Sequence, residues 1–392
     1  MAHVEYEEEG WFSRIGDSIK GIFGGIAIFM LAFPLIFWNE CRAVKRAQDL
    51  ELGLGSVVTA KADSIDKGNE GKLVHVQGDV KVDEKLEDKT FQISANGLAL
   101  ERKVEMYQWK ENVKKESKKK AGGKKVTKKT YTYEKTWSSS EIKSSNFDDN
   151  KEAKGKVNPG PLPYESKTVA AKSATLGKYK LSEGITSGLG ESSKLTMKEA
   201  DLKKIEKDFK GQKAKIHDGG IYLGKNPAKP EVGDVRITFN LKKPGKATVI
   251  AGQYGDKLQA WKHKDLNDPL VLTANGKKSP EKMFENAVSS NNMLTWVLRL
   301  VSWLMMFGGL SALFRPLSVI ADVIPFIGGL VGKAFAVVSF LIATPIWFLC
   351  VALAWVVARP LLGILMLLGA GLFFGALIFA AMKAREASAS TA

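Results

Sequence analysis

Long apolar runs fall at four places along the chain: Gly21–Trp38, Met293–Phe314, Ala334–Val357 and Leu361–Ala381. A helix needs about 20 apolar residues to cross hydrocarbon, and these runs are long enough. The pattern predicts four transmembrane helices at 21–38, 293–314, 334–357 and 361–381, flanked by tails at 1–20 and 382–392. Residues 39–292 lie between the first two spans as one hydrophilic stretch, large enough to bury a core of its own. The fold class is an α+β membrane protein in which a large β-rich soluble domain is inserted between spans one and two. A further apolar stretch, 317–332, is interrupted by Asp322, Pro325, Gly328 and Gly329. As a helix it would reach only about 24 Å, so it is read as an interfacial or re-entrant segment.

Inside the insertion the periodicity changes to that of strands. Residues 71–82 alternate β-branched and polar positions, and 104–109 and 131–137 form two aromatic-rich runs. The latter pair predicts a long antiparallel hairpin with its tip at 114–125, whose aromatic face (Tyr131, Tyr133, Trp137) needs something to pack on. The stretch 48–55 after the first span is read as a turn. Residues 235–241 and 247–251 are read as a second hairpin closed by Lys242–Lys246. Two lobes are expected to meet at the Pro/Gly-rich break 158–163, and helical spacing is expected over 199–209. Ser279-Pro280 reads as an N-cap with Pro at the first helical position, starting a helix that runs into the second span.

Charge and composition refine this picture. The first run has an acidic flank (Glu5, Glu7, Glu8, Glu9) and no small-residue cleavage site, so it reads as a retained anchor, not a signal peptide. An even number of crossings puts both termini on one face and the domain on the other. A small excess of Lys and Arg on the terminal side favours cytoplasmic termini. That corresponds to the plasma membrane in a bacterium, or to the endoplasmic reticulum or inner nuclear membrane in a eukaryote. The two cysteines, Cys41 and Cys350, lie at or in the membrane, leaving the domain no disulfide. The four histidines lack metal-ligand spacing, and neither a phosphate-cradling loop nor a nucleophile elbow is visible, so no enzyme, metal or cofactor is expected. His217-Asp218-Gly-Gly220 reads as a turn.

The remaining candidates are electrostatic. Arg299, Asp322 and Glu40 are the polar residues placed in or at the membrane. Arg299 either snorkels to the interface or faces the bundle and pairs with Asp322 or Glu40. Residues 114–129 hold nine lysines (Lys114, Lys115, Lys118, Lys119, Lys120, Lys124, Lys125, Lys128, Lys129) against one glutamate, half of the chain's net +16. Without interleaved aromatics this run does not read nucleic acid. It forms a solvated hairpin tip or attracts anionic lipid headgroups. Small-xxx-small spacings at Gly21/Gly25 and Gly371/Gly375 read as helix-packing faces.

Several blocks together resemble the transmembrane protein 43 (LUMA) family: residues 35–43 (LIFWNECRA), 69–76 (NEGKLVHV), 104–109 (VEMYQW), Ser140-Glu-Ile142 with Ser145-Asn-Phe-Asp148, and 230–236 (PEVGDVR). Thr295-Trp296, Leu298-Arg299 and Lys333-Ala-Phe335 carry the likeness into the bundle. The resemblance implies four spans, cytosolic termini and a luminal domain. It also implies residence in the endoplasmic reticulum and inner nuclear membrane, self-association, links to emerin and lamins in animals, and a proposed ion-conducting activity. The lysine-rich tip departs from the animal relatives. The expected function is a non-enzymatic multi-pass scaffold that forms homo-oligomers in the lipid bilayer and presents its domain to partners. An oligomeric ion channel or transporter and a lipid-binding membrane protein are the alternatives.

Overall fold

The computed structural model describes residues 2–199, 201–202, 209, 214–356 and 360–389. In chain order the elements begin with β1 (His3–Glu9), α1 (Trp11–Ser56), β2 (Val58–Lys61), β3 (Leu73–Lys81), β4 (Lys85–Asp88), β5 (Ile93–Asn96), β6 (Ala99–Lys119) and β7 (Lys125–Ser138). There follow β8 (Lys167–Ala170), β9 (Ala174–Leu176), β10 (Tyr179–Leu181), α2 (Glu183–Gly188), β11 (Glu191–Leu195), β12 (Ala214–His217), β13 (Gly220–Leu223), β14 (Val235–Lys243), β15 (Lys246–Tyr254), β16 (Lys257–Gln259) and β17 (Leu272–Asn275). Three long helices close the chain: α3 (Pro280–Ala321), α4 (Pro325–Val356) and α5 (Pro360–Ala389). The chain divides into a β-rich unit (1–4, 49–114, 130–287) and a helical unit (5–48, 115–129, 288–392).

The β-rich unit is built on two sheets. One has the order β1-β7-β6-β14-β13-β12, with β11 added on β14 and β8 on β6. The other has the order β17-β15-β16-β10-β9-β3-β2, with β15 also paired to β3. Strand β14 shows strict alternation, and its inward residues Ile237, Phe239 and Leu241 join Leu100, Val104, Met106 and Phe91 in the first core. Strand β15 instead buries seven consecutive residues, Ala247–Gln253, because it is central in its sheet and covered on both faces. This corrects the expected hairpin of 235–241 with 247–251. Residue Val235 pairs with Met106 and Ala247 with Gly78, so the turn between the two strands passes the chain from one sheet to the other. Alternation in β14 and none in β15 is the sequence mark of two different burial environments.

Other expectations hold. Strands β6 and β7 are neighbours, and the chain turns at Ala121–Gly123. The aromatic face is covered, since Trp137 packs 5.1 Å from Tyr107 and Tyr133 packs 5.8 Å from Phe147. His217-Asp218-Gly219-Gly220 is the β12–β13 turn, with Asp218 and Gly219 both at positive φ (51° and 64°), as a tight hairpin requires. The Lys282 amide donates to Ser279 Oγ at 3.3 Å, capping α3 as the Ser-Pro pair implied. The break at 158–163 does not divide the β-rich unit. There Asn158 accepts from the Trp109 amide at 2.7 Å and donates to the Trp109 carbonyl at 2.9 Å, tying the segment to β6.

Residues 48–55 are not a turn. Helix α1 continues to Ser56, with Leu50 buried among Leu73, Ile250, Trp261, Leu270 and Phe284, and with Gly53 beneath Leu270 and Phe284. A side chain there would collide with both, which is why glycine is kept despite its low helix propensity. Of the expected helix at 199–209, residues 200 and 203–208 lie outside the described residues, as do 357–359, where the sequence places the junction of spans three and four. Leu202 and Phe209 are buried in the first core.

Three described helices are long and apolar enough to cross a membrane, at Trp11–Ser56, Pro280–Ala321 and Phe326–Trp355. Helix α5 carries a shorter apolar stretch, Leu368–Phe379. Pro34, Pro316 and Pro345 lie inside α1, α3 and α4. The stretch 317–332 is not a separate helix. Its first part is the last turn of α3, and α4 starts at Pro325 after a short turn. Asp322 lies in that turn and Pro325 opens α4, while Gly328 and Gly329 fall within the first turns of α4, Gly328 against Asp322.

Candidate functional site

In the helical unit α1 and α3 run antiparallel. They come closest at Gly25 and Gly309, where a Cβ on Gly25 would lie 2.7 Å from the Ala312 Cβ and one on Gly309 would lie 2.7 Å from the Gly25 carbonyl. This is the close backbone approach that small residues permit. Gly21, by contrast, has nothing within 4 Å, so only half of the first small-xxx-small pattern is used here. Further along, Ala32, Ile36 and Met306 pack with Ala343, Trp347 and Val351 of α4 in an apolar core.

Just beyond this core the helices are joined by a buried ionic site. Glu40 on α1 is fully buried, and the Arg299 side chain on α3 is 6% exposed. Arg299 donates through Nε and one terminal nitrogen to the two carboxylate oxygens, each at 2.7 Å. Its guanidinium lies over the Trp296 ring at 4.8 Å and the Trp355 ring at 5.1 Å, and the Trp355 indole N–H donates to Glu40. The carboxylate is thus fully occupied, and the cation has aromatic rings against it. The Arg299 side chain is enclosed by the helices and not extended along their surface. Of the two partners named for Arg299, Glu40 is the one found.

Around this pair are three neutral side chains and a second cation, Arg42. Asn39 donates to the Thr295 carbonyl at 3.2 Å, and Asn291 to the Ala43 carbonyl at 2.9 Å. Arg42 donates to Asn291 Oδ1 (2.8 Å), Thr295 Oγ1 (3.0 Å) and Asn39 Oδ1 (3.2 Å). Sequence reading missed Asn39, Arg42, Asn291, Thr295 and Trp355. The available signal was the four-residue recurrence Asn291–Thr295–Arg299, which puts three polar side chains on one helix face.

Asp322 sits elsewhere. It is buried in the turn between α3 and α4, where Arg14 of α1 and Lys119 pair with it, Lys119 at 2.6 Å. The indole N–H of Trp11 donates to the Val319 carbonyl at 2.9 Å, and the Gly122 amide to the Val323 carbonyl at 3.0 Å. The other tip lysines meet the acidic strand β1: Lys120 and Lys124 reach Glu8 (3.4 and 3.9 Å), Lys125 reaches Glu9 (3.1 Å) and Lys129 reaches Glu7 (3.0 Å). Lys129 holds the Glu7 carboxyl below its usual range by hydrogen bond and charge. Lys114, Lys115 and Lys118 lie on β6 and Lys128 on β7. The run is therefore matched by an acidic partner within the chain, a complementarity of residues 5–9 with 119–129 that both sequences displayed openly.

A multi-helix apolar bundle with a bidentate ion pair at its edge, carried on a chain with a two-sheet domain, defines an integral membrane protein. The family model for transmembrane protein 43 matches residues 106–360, and the chain belongs to that family. It is 34% identical to transmembrane protein 43 of Pongo abelii over 91% of this chain and 89% of the relative, and 34% identical to that of Mus musculus over 92% and 90%. The Drosophila melanogaster homolog is 27% identical over 88% and 90%. No solved structure matches.

Proposed function

We propose that this protein is a non-enzymatic membrane scaffold that self-associates and presents its β-rich unit to partners. Both termini lie on the cytoplasmic face, and α1, α3, α4 and α5 cross the bilayer. The Glu40–Arg299 pair carries the reading. An arginine whose partner carboxylate is saturated, and whose guanidinium lies between two indoles, acts as a lock between helices and offers no free charge to a passing ion. Self-association has an available surface in α5, where Gly371 and Gly375 have open space around them, unlike the occupied Gly25–Gly309 crossing.

The test is substitution at the lock in reconstituted protein. Removing one partner of a buried ion pair costs about 3–5 kcal/mol, so Arg299→Leu and Glu40→Gln should each lower thermal stability sharply. Arg299→Lys should fall between, since lysine keeps the charge and loses the fork. Ion flux across vesicles should be absent in wild type and variants alike. Flux in wild type that Glu40→Gln abolishes while the bundle stays folded would replace the scaffold reading with the conducting one.

A further inference from the structure

The ionic site holds one cation more than its acids balance. Glu40 gives both oxygens to Arg299, and among the described residues no carboxylate lies within ion-pair distance of Arg42. Arg42 hydrogen-bonds to the neutral oxygens of Asn39, Asn291 and Thr295, feels the charge of Glu40 only at longer range, and has no acceptor for its buried Nε–H. The three supporting side chains are themselves more than nine-tenths buried and held by hydrogen bonds to backbone, so they fix the guanidinium in place. A guanidinium at the edge of hydrocarbon needs a counter-anion.

Position says what that anion is. Arg42 lies one turn past the apolar run of α1, four residues after Trp38, and its partner Thr295 precedes Trp296; both indoles are about 60% exposed in the manner of membrane-interface aromatics. Lys45 and Arg46 follow at three and four residues, on the same helix face. We propose that Arg42, held by Asn39, Asn291 and Thr295, binds the phosphodiester of an anionic phospholipid at the domain-side interface. The lipid completes the charge balance that the protein leaves open.

Full-length protein is purified in detergent and exposed to phosphatidylglycerol, to phosphatidylcholine or to inorganic phosphate, with retained lipid read by native mass spectrometry and thermal stability read alongside. Wild type should retain phosphatidylglycerol in preference to phosphatidylcholine and be stabilised by it, while inorganic phosphate does neither. Arg42→Gln should lower phosphatidylglycerol retention about tenfold, and Arg42→Lys less. Equal retention of the two lipids by wild type overturns the proposal, as does undiminished retention by folded Arg42→Gln. Stabilisation by inorganic phosphate equal to that by phosphatidylglycerol overturns the lipid assignment. Should Arg42→Gln not fold, the wild-type comparison decides alone.

Discussion

Arg299 was legible from sequence as a charge that had to be either at the interface or paired, because an isolated cation in hydrocarbon is too costly. Its partner was not legible, since Glu40 and Asp322 were equally available until the antiparallel register of α1 on α3 was known. Asp322 went instead to Arg14 and Lys119. In the β-rich unit, Tyr133 was noted only for its ring, yet its hydroxyl donates to Glu111 (2.7 Å) and accepts from Asn150 (2.8 Å). Burial first, and then the Glu111 bond and charge, push this phenol up from 10 to about 12. A phenol raised in the fold contributes stability that is present below pH 10 and lost as pH rises through about 12. Wild type should therefore lose stability relative to Tyr133→Phe across that alkaline window, followed by chemical denaturation at stepped pH. Parallel curves for the two proteins would show that the phenol is not linked to folding.

Among the elements, those whose signal is local were readable: three of the four long apolar helices, the Ser279-Pro280 cap and the His217–Gly220 turn. Those set by what covers them were not. Whether the strands flanking Lys242–Lys246 form a hairpin depends on a second sheet accepting β15, and 48–55 is helical because a distant core encloses Leu50. The two glycine pairs make a contrast at this scale. Gly309→Val places a side chain against the Gly25 carbonyl and Phe29, and overpacking of that kind costs about 1–3 kcal/mol, so the melting temperature in detergent should fall. Gly371→Leu meets open space and should leave melting unchanged while reducing the oligomer seen by light scattering. A Gly371→Leu protein that associates like wild type would remove α5 from the proposed interface.

For the whole molecule, two features compete. The tip lysines pair with Glu7, Glu8 and Glu9, while the proposed topology has α1 crossing between Gly21 and Trp38, which separates residues 1–20 from 39–292 by a bilayer. A segment with nine lysines does not lie in hydrocarbon, so within one chain the pairing and the crossing exclude each other. The magnitudes favour the crossing. Ion pairs between half-exposed side chains are weak and screened by salt, whereas an apolar run of this length gains with nearly every residue inserted. On the proposed topology the clasp of β1 on the hairpin belongs to the chain outside a bilayer, and of the two partners of Asp322 only Arg14 stays on its face. With Cys41 and Cys350 replaced by Ser, the Glu8→Cys, Lys124→Cys protein should form a disulfide in detergent and none in membrane vesicles. Protease on the domain side of those vesicles should cut at the Ala121–Gly123 turn, as exposed loop tips are cut, and leave the helices whole. Efficient disulfide formation in the vesicles would put residues 8 and 124 on one face, and α1 would then not be a transmembrane helix.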